Sequence, residues 1–168
     1  MRNRVFSAIT VVMLGVAGFA ACGGSDSKTI ETKDGKVTVN KKGNSVTIEG
    51  ENGAKATFGG TKVPDNFPSE VPLPKGLKLK SAAGGTQGTK TFFSLGYELG
   101  SKSPDDVVAA YKTQLEDAGF TINGTGNFGA GGGAVSNVSA EGKGYRVTAS
   151  GVGSATGKLF TMAVTPAD

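Results

Sequence analysis

Residues 103–120, with the sequence SPDDVVAAYKTQLEDAGF, contain the signals of one amphipathic helix. Ser103 is placed to cap the first turn, Pro104 suits the first helical position, and Asp106 follows three residues after the cap, as in a capping box. Gly119 is placed to end the helix in a left-handed conformation. The apolar face that this helix would bury consists of Val107, Val108, Tyr111, Leu115 and Ala118.

Alternating apolar and polar residues on both sides of this helix predict β-strands. Two strands precede the helix, one beginning at Leu77 and a stronger one at Phe93–Leu99. Four further strands follow it, at Phe120–Asn123, Ala134–Ala140, Tyr145–Ser150 and Lys158–Thr165. Because one amphipathic helix covers one face of an antiparallel sheet, we predict an α+β domain over residues 77–165 with the order ββαββββ.

A small β-meander is predicted before this domain, over residues 30–62. Val37 and Val39, like Val46 and Ile48, alternate with polar residues, and turn-forming pairs such as Asp34-Gly35 separate the runs. Three short strands with one apolar face are marginally stable alone, so we expect them to lean on the next domain. Residues 63–76 contain four prolines and are predicted to be a stiff linker between the two parts.

The first 21 residues have the layout of a secretory signal peptide. Arg2 and Arg4 form a basic start, residues 5–21 carry no charge, and small residues close the segment before Cys22. A membrane-spanning helix usually needs ~20 strongly apolar residues, and this run is shorter and interrupted by polar residues and glycines. Export with cleavage is therefore the favoured interpretation, with an uncleaved anchor as the alternative.

The residues before the single cysteine, Phe19-Ala20-Ala21-Cys22, resemble the lipobox of bacterial lipoproteins. This resemblance implies that Cys22 receives a diacylglyceryl group, becomes the new N-terminus and holds the chain on the outer side of a cell membrane or outer membrane. Residues 22–29 would then be a flexible tether. Phe19 departs from the leucine usual in the family, which leaves ordinary cleavage after Ala20 or Ala21, with a free thiol, as the alternative.

The composition limits the classes of function. Glycine supplies 28 of 168 residues, more than twice the usual share of ~7%, which suggests long loops. Residues 28–62 carry a local charge excess of +3, typical of a solvated surface or of attraction to anionic lipid headgroups. No pattern of basic and aromatic residues resembles a nucleic-acid-binding module, so nucleic acid is not an expected partner.

The candidate chemistry is sparse. The chain has no histidine, which removes the usual general base and the commonest metal ligand. We therefore predict no catalytic, cofactor-binding or metal-binding residue. Residues 124–129 match the dinucleotide fingerprint G-x-G-x-x-G, but a β pattern follows them instead of the required helix, so they are interpreted as a hairpin loop.

The leading functional hypothesis is a non-enzymatic, lipid-anchored envelope protein with a binding or scaffold role. One alternative is an enzyme acting on envelope polymer, which would require two acids within ~10 Å in a cleft, drawn from Glu98, Glu116, Asp117 and Glu141. A second alternative is a carrier holding an apolar ligand between the helix face and the strand face of Phe93, Leu95 and Tyr97. A third is a module that binds another envelope protein through strand edges or the Gly124–Gly133 loop.

Overall fold

The computed structural model describes residues 27–32, 35–42, 44–50, 53–130, 133–154 and 157–167. These residues form ten antiparallel strands and one helix, α1, at Pro104–Asp117. The strands before the helix are β1 Ser27–Thr32, β2 Gly35–Asn40, β3 Ser45–Gly50, β4 Lys55–Gly59, β5 Lys78–Gln87 and β6 Lys90–Glu98. The strands after it are β7 Thr121–Ala130, β8 Gly133–Gly142, β9 Tyr145–Ser154 and β10 Gly157–Pro166.

Helix α1 begins and ends as its sequence predicts. The Asp106 N–H donates to the Ser103 hydroxyl over 3.1 Å, so a side chain satisfies one of the amides that have no partner within the helix. At the other end, Gly119 adopts φ of +83°. The Phe120 N–H donates to the Leu115 carbonyl over 2.9 Å, which completes a Schellman motif.

Replacing Ser103 with Ala should lower the free energy of unfolding by about 1 kcal/mol, because the Asp106 amide loses its acceptor. Urea denaturation would measure the change. Ser101→Ala is the matched control, since Ser101 is exposed and lies outside the helix. Equal losses in the two variants would contradict the capping role of Ser103.

All ten strands belong to one sheet with the order β1-β2-β3-β4-β5-β6-β10-β9-β8-β7. The predicted fold, a ββαββββ sheet preceded by a separate small meander, is therefore wrong. The chain is mostly β, with a single helix on an antiparallel sheet, and only this coarser α+β-like description holds. After β6, helix α1 carries the chain to the far edge at β7, and the last four strands return towards the centre until β10 pairs with β6.

The residues expected to form a separate meander join the sheet edge to edge. Strand β4 pairs with β5, with Phe58 opposite Ala83 and Ala56 opposite Gly85. Strand β1 is not predicted from the sequence; it pairs with β2, with Thr29 opposite Thr38. Backbone hydrogen bonding, instead of burial of an apolar face, thus attaches these strands to the remainder of the sheet. The domain boundary assigned to residues 63–76 stays a prediction.

Helix α1 packs across β7–β10 and closes the core on that side of the sheet. Phe160 on β10 lies at the centre of this packing, fully buried, with its ring edge-on to Tyr111 (5.4 Å between centroids) and Tyr97 (6.2 Å). The fully buried Ser136 on β8 donates to the Asp105 carboxylate in the first turn of the helix. The helix is thus held by apolar packing along its length and by a hydrogen bond at its start.

The proline-containing segment, residues 63–76, covers β5 and β6 on the same side as the helix. Phe67 packs edge-on against Phe93 with ring centroids 5.3 Å apart, and Val71 is buried. The Tyr111 hydroxyl donates to the Pro72 carbonyl over 2.9 Å, which joins the segment to the helix. One side of the sheet from β5 to β10 is therefore covered by α1 and this segment together.

Many glycines occupy strands and not the long loops expected from composition. On β9, a Cβ added to Gly151 would lie 3.0 Å from the Pro104 carbonyl oxygen, and one added to Gly153 would lie 3.0 Å from Pro104 Cγ. The start of α1 can therefore approach the sheet closely only because these two positions lack a side chain.

Candidate binding face of the sheet

The sheet has a second face, opposite α1, which we call the open face. Its large apolar side chains are well exposed, with Phe92 at 38%, Phe58 at 48% and Phe128 at 69%. The largest apolar patch on the surface of a soluble protein often has a function, so the open face is the candidate binding site.

The larger apolar area on the open face is formed by strands β1–β6, and we call it the β1–β6 patch. Strand registers place its side chains in two neighbouring rows. One row consists of Ile30, Val37, Ile48, Ala56 and Phe92, and the other of Val39, Val46, Phe58 and Ala83. Five inter-strand spacings of ~4.8 Å make the patch about 24 Å wide.

Gly85 allows the patch to continue from β4 to β6. It lies between Ala56 and Phe92 in the first row. A Cβ at this position would lie 2.5 Å from Cζ of Phe92, so the aromatic ring lies across the glycine. The ring therefore fills the gap that a residue without a side chain would leave, and the apolar surface stays continuous.

Charged residues of β1–β4 lie mainly on the face opposite the patch. Glu31 pairs with Lys36 over 3.0 Å, and Glu49 pairs with Lys55 over 2.8 Å. The hydrogen bond from Lys55 lowers the pKa of the Glu49 carboxyl, and the hydrogen bond to Glu31 raises the pKa of Lys36. Within the described strands β1–β6, the acid on the open face is Glu98, which lies six residues from Phe92 on β6 and pairs with Lys80. The two faces therefore differ in charge as well as in polarity.

A smaller apolar row lies at the other end of the open face. It crosses β7–β10 through Phe128, Val135, Val152 and Leu159. Between this row and the β1–β6 patch the face is lined by small and polar residues, among them Ser94, Gly96 and Thr161. The open face thus has two separate apolar areas, of which the β1–β6 patch is the wider.

Three of the four acids considered for an enzyme form ion pairs, each with a different basic side chain. Glu98 pairs with Lys80 over 2.9 Å, and Glu116 pairs with Lys112 over 2.7 Å. The hydrogen bond from Lys80 lowers the pKa of the Glu98 carboxyl.

Glu141 pairs with Arg146. Asp117 is the last residue of the helix, and its side chain is exposed. Glu98 and Glu141 lie on β6 and β8, strands that are three spacings or about 14 Å apart, and the register offsets the two residues further along the strands. In the described part of the chain, no cluster of three or more acidic or cysteine side chains could hold a metal ion.

The two faces proposed for an apolar carrier pack within one core. Tyr111 and Leu115 of the helix and Leu95 and Tyr97 of β6 are all at most 4% exposed. Burial raises the pKa of Tyr97 to about 12, and its hydroxyl has no hydrogen-bond partner among the described residues. A cavity of about 220 Å³ lies between α1 and residues 74–75, smaller than typical ligand pockets of ~300–1,000 Å³.

The glycine-rich residues 124–129 belong to strand β7, so their interpretation as a hairpin loop is wrong. Glycine contributes no apolar side chain to an alternating pattern, so residues 124–129 do not show the alternation that indicates a strand. The strand forms one edge of the sheet, and its Phe128 ring lies close to Gly126. The β pattern expected after these residues is strand β8.

The lipid-attachment site predicted from sequence, Cys22, lies outside the described residues, as do the signal peptide and most of the tether. In the part of the chain that is described, no helix has the length and apolar character needed to cross a membrane. No protein-family model, curated protein or solved structure matches this chain.

Proposed function

We propose that this chain is a lipoprotein held on the outer side of a bacterial membrane by a lipid on Cys22, with a non-enzymatic binding role. The observation that carries the anchoring is the sequence Phe19-Ala20-Ala21-Cys22, which follows a basic start and an uncharged apolar run. Two acyl chains hold a protein on a bilayer far more firmly than one, since each buried methylene contributes ~0.8 kcal/mol. The protein would therefore work at the membrane surface.

The exposed apolar side chains of the open face support a binding role. The β1–β6 patch presents Phe58 and Phe92 to solvent on a sheet whose other face has its own cover at β5–β10. The acids considered for catalysis support an enzyme less well, because Glu98, Glu116 and Glu141 each have a basic partner at a separate place.

Cys22→Ser should abolish attachment of fatty acid to the chain. The test expresses the full-length protein in a bacterial host supplied with a labelled fatty acid and measures both the label and the intact mass. The unchanged chain should carry the label and the mass of a diacylglyceryl group, and Cys22→Ser should carry neither.

Ser25→Ala is the control, because it changes a nearby serine and leaves Cys22 intact. It should retain both the label and the added mass. If the Cys22→Ser chain kept the same mass shift and label as the unchanged chain, the proposed anchor would be wrong.

A further inference from the structure

We infer that the β1–β6 patch lies against the lipid bilayer in which the acyl chains on Cys22 are inserted. This inference rests on the proposed lipid anchor and extends it. It assigns the open face of β1–β6 a definite partner, the headgroup region of the same membrane.

The position of β1 in the chain brings the patch close to the bilayer. Ser27, the first residue of β1, is five Cα–Cα steps from Cys22, which span at most ~17 Å even when fully extended. Strand β1 is an edge strand, and its Ile30 belongs to the patch and is 41% exposed. The anchor therefore keeps the start of the patch within reach of the lipid headgroups.

The side chains of the patch suit the boundary between headgroups and acyl chains. Phe58 and Phe92 project from a broad apolar surface, flanked by aliphatic side chains of β2 and β3. The apolar faces of helices that lie on membranes insert by ~5–10 Å into this boundary, and the patch presents the same kind of side chains. Strands β2–β6 of this face are each paired on both sides, so this part of the sheet can lie parallel to the bilayer without exposing unpaired backbone groups.

The charges of β1–β5 are arranged to allow this contact. Glu31 and Glu49 point to the opposite face, together with the lysines that pair with them. Lys28 lies on the same face as the patch, at its edge nearest the anchor, and Lys41 is exposed in the turn after β2. The acid on the open face of the described strands β1–β6, Glu98, pairs with Lys80 and lies six residues from Phe92, so the rows of the patch themselves carry no carboxylate.

The size of the patch favours a bilayer over a second copy of the chain. Two rows of side chains across about 24 Å cover an area of roughly 300 Å², since neighbouring residues on one strand face are ~7 Å apart. A stable protein interface buries about 800 Å² on each partner. A bilayer requires no matching surface, and the lipid anchor supplies the remaining attachment.

The single cysteine of the chain permits a direct test. Once Cys22 carries its lipid, a cysteine introduced elsewhere is the one free thiol for a fluorescent probe. Ala56→Cys and Thr57→Cys form a matched pair, because both positions are half-buried on β4 and point to opposite faces. Val46→Cys and Ser45→Cys form a second pair on β3.

The acylated variants would be reconstituted in vesicles of phosphatidylcholine with phosphatidylglycerol. We expect nitroxide groups on the lipid acyl chains to quench probes at 46 and 56 several-fold more strongly than probes at 45 and 57. Iodide in the water should show the reverse preference. Adding Phe58→Ser and Phe92→Ser to the Ala56→Cys chain should reduce its lipid quenching, with the circular dichroism unchanged.

Equal lipid quenching on the two faces, in chains that are acylated and float with the vesicles, would overturn the inference while the anchor stands. Protection from iodide at 46 and 56 that appears only at high protein density would identify a second copy as the partner, and would also overturn it. If the chain without an added cysteine reacted with the probe at Cys22 and did not float, both the anchor and the inference would fall.

Discussion

Phe160→Ala should lower the free energy of unfolding by about 4 kcal/mol, the largest loss that we expect from one substitution. The Phe160 ring is fully buried and makes edge contacts with Tyr111 and Tyr97, so its removal leaves a cavity where the helix meets the sheet. Strand β10 is also paired on both sides, with β6 and β9, which limits how far the backbone can collapse into the space. Urea denaturation followed by circular dichroism would measure the loss.

Leu159→Ala provides the control on the same strand. Leu159 points to the open face and is 43% exposed, so its truncation should cost about 1 kcal/mol or less. Similar losses at positions 159 and 160 would mean that the helix-bearing face does not contain the main core.

Gly151→Val should lower the free energy of unfolding by about 3 kcal/mol, because overfilling a packed contact forces the backbone to move. A Cβ at this position would lie 3.0–3.1 Å from three atoms of Pro104, two of them in the backbone. The start of α1 would have to shift away from β9, which would also weaken the hydrogen bond between Ser136 and Asp105. Thermal and urea denaturation would both register the change.

Gly124→Val is the matched control for this substitution. Gly124 also lies in a strand, and a Cβ there would have no atom within 4 Å. The change should therefore alter stability by less than about 0.5 kcal/mol. A large loss at Gly124, or none at Gly151, would show that glycine at 151 is not required for the approach of the helix.

Local features of the fold could be predicted from the sequence, but the long-range pairing could not. The helix was predictable because its cap, apolar face and glycine end lie within residues 103–120. Strand β7 was predicted only as far as Asn123, because the glycines that follow give little alternation. Strand β1 was not predicted, because it contains a single apolar residue. The pairing of Phe93 with Val164 follows no local pattern, so the sequence did not predict the order of the strands in the sheet.

The candidate site was predictable only where it depends on local alternation within one strand. Alternation showed that Val37 and Val39 share one face of a strand, and that Val46 and Ile48 do the same. The alignment of Phe58 and Phe92 on one face depends on the pairing of β4 with β5 and of β5 with β6. Helix α1 packs on the opposite face of the sheet, and this arrangement depends on the tertiary fold. Lipid attachment at Cys22 rests on a sequence motif and stays a prediction.

The pairing of β6 with β10 also has a consequence for how fast the protein can fold. Every other neighbouring pair in the described sheet joins strands that follow each other in the chain, whereas Phe93 and Val164 are 71 residues apart. The entropy of closing so long a loop must be lost before the central contact gives any stability in return. We therefore expect two hairpin-rich halves to assemble early, and their joining at β6 and β10 to set the rate of folding.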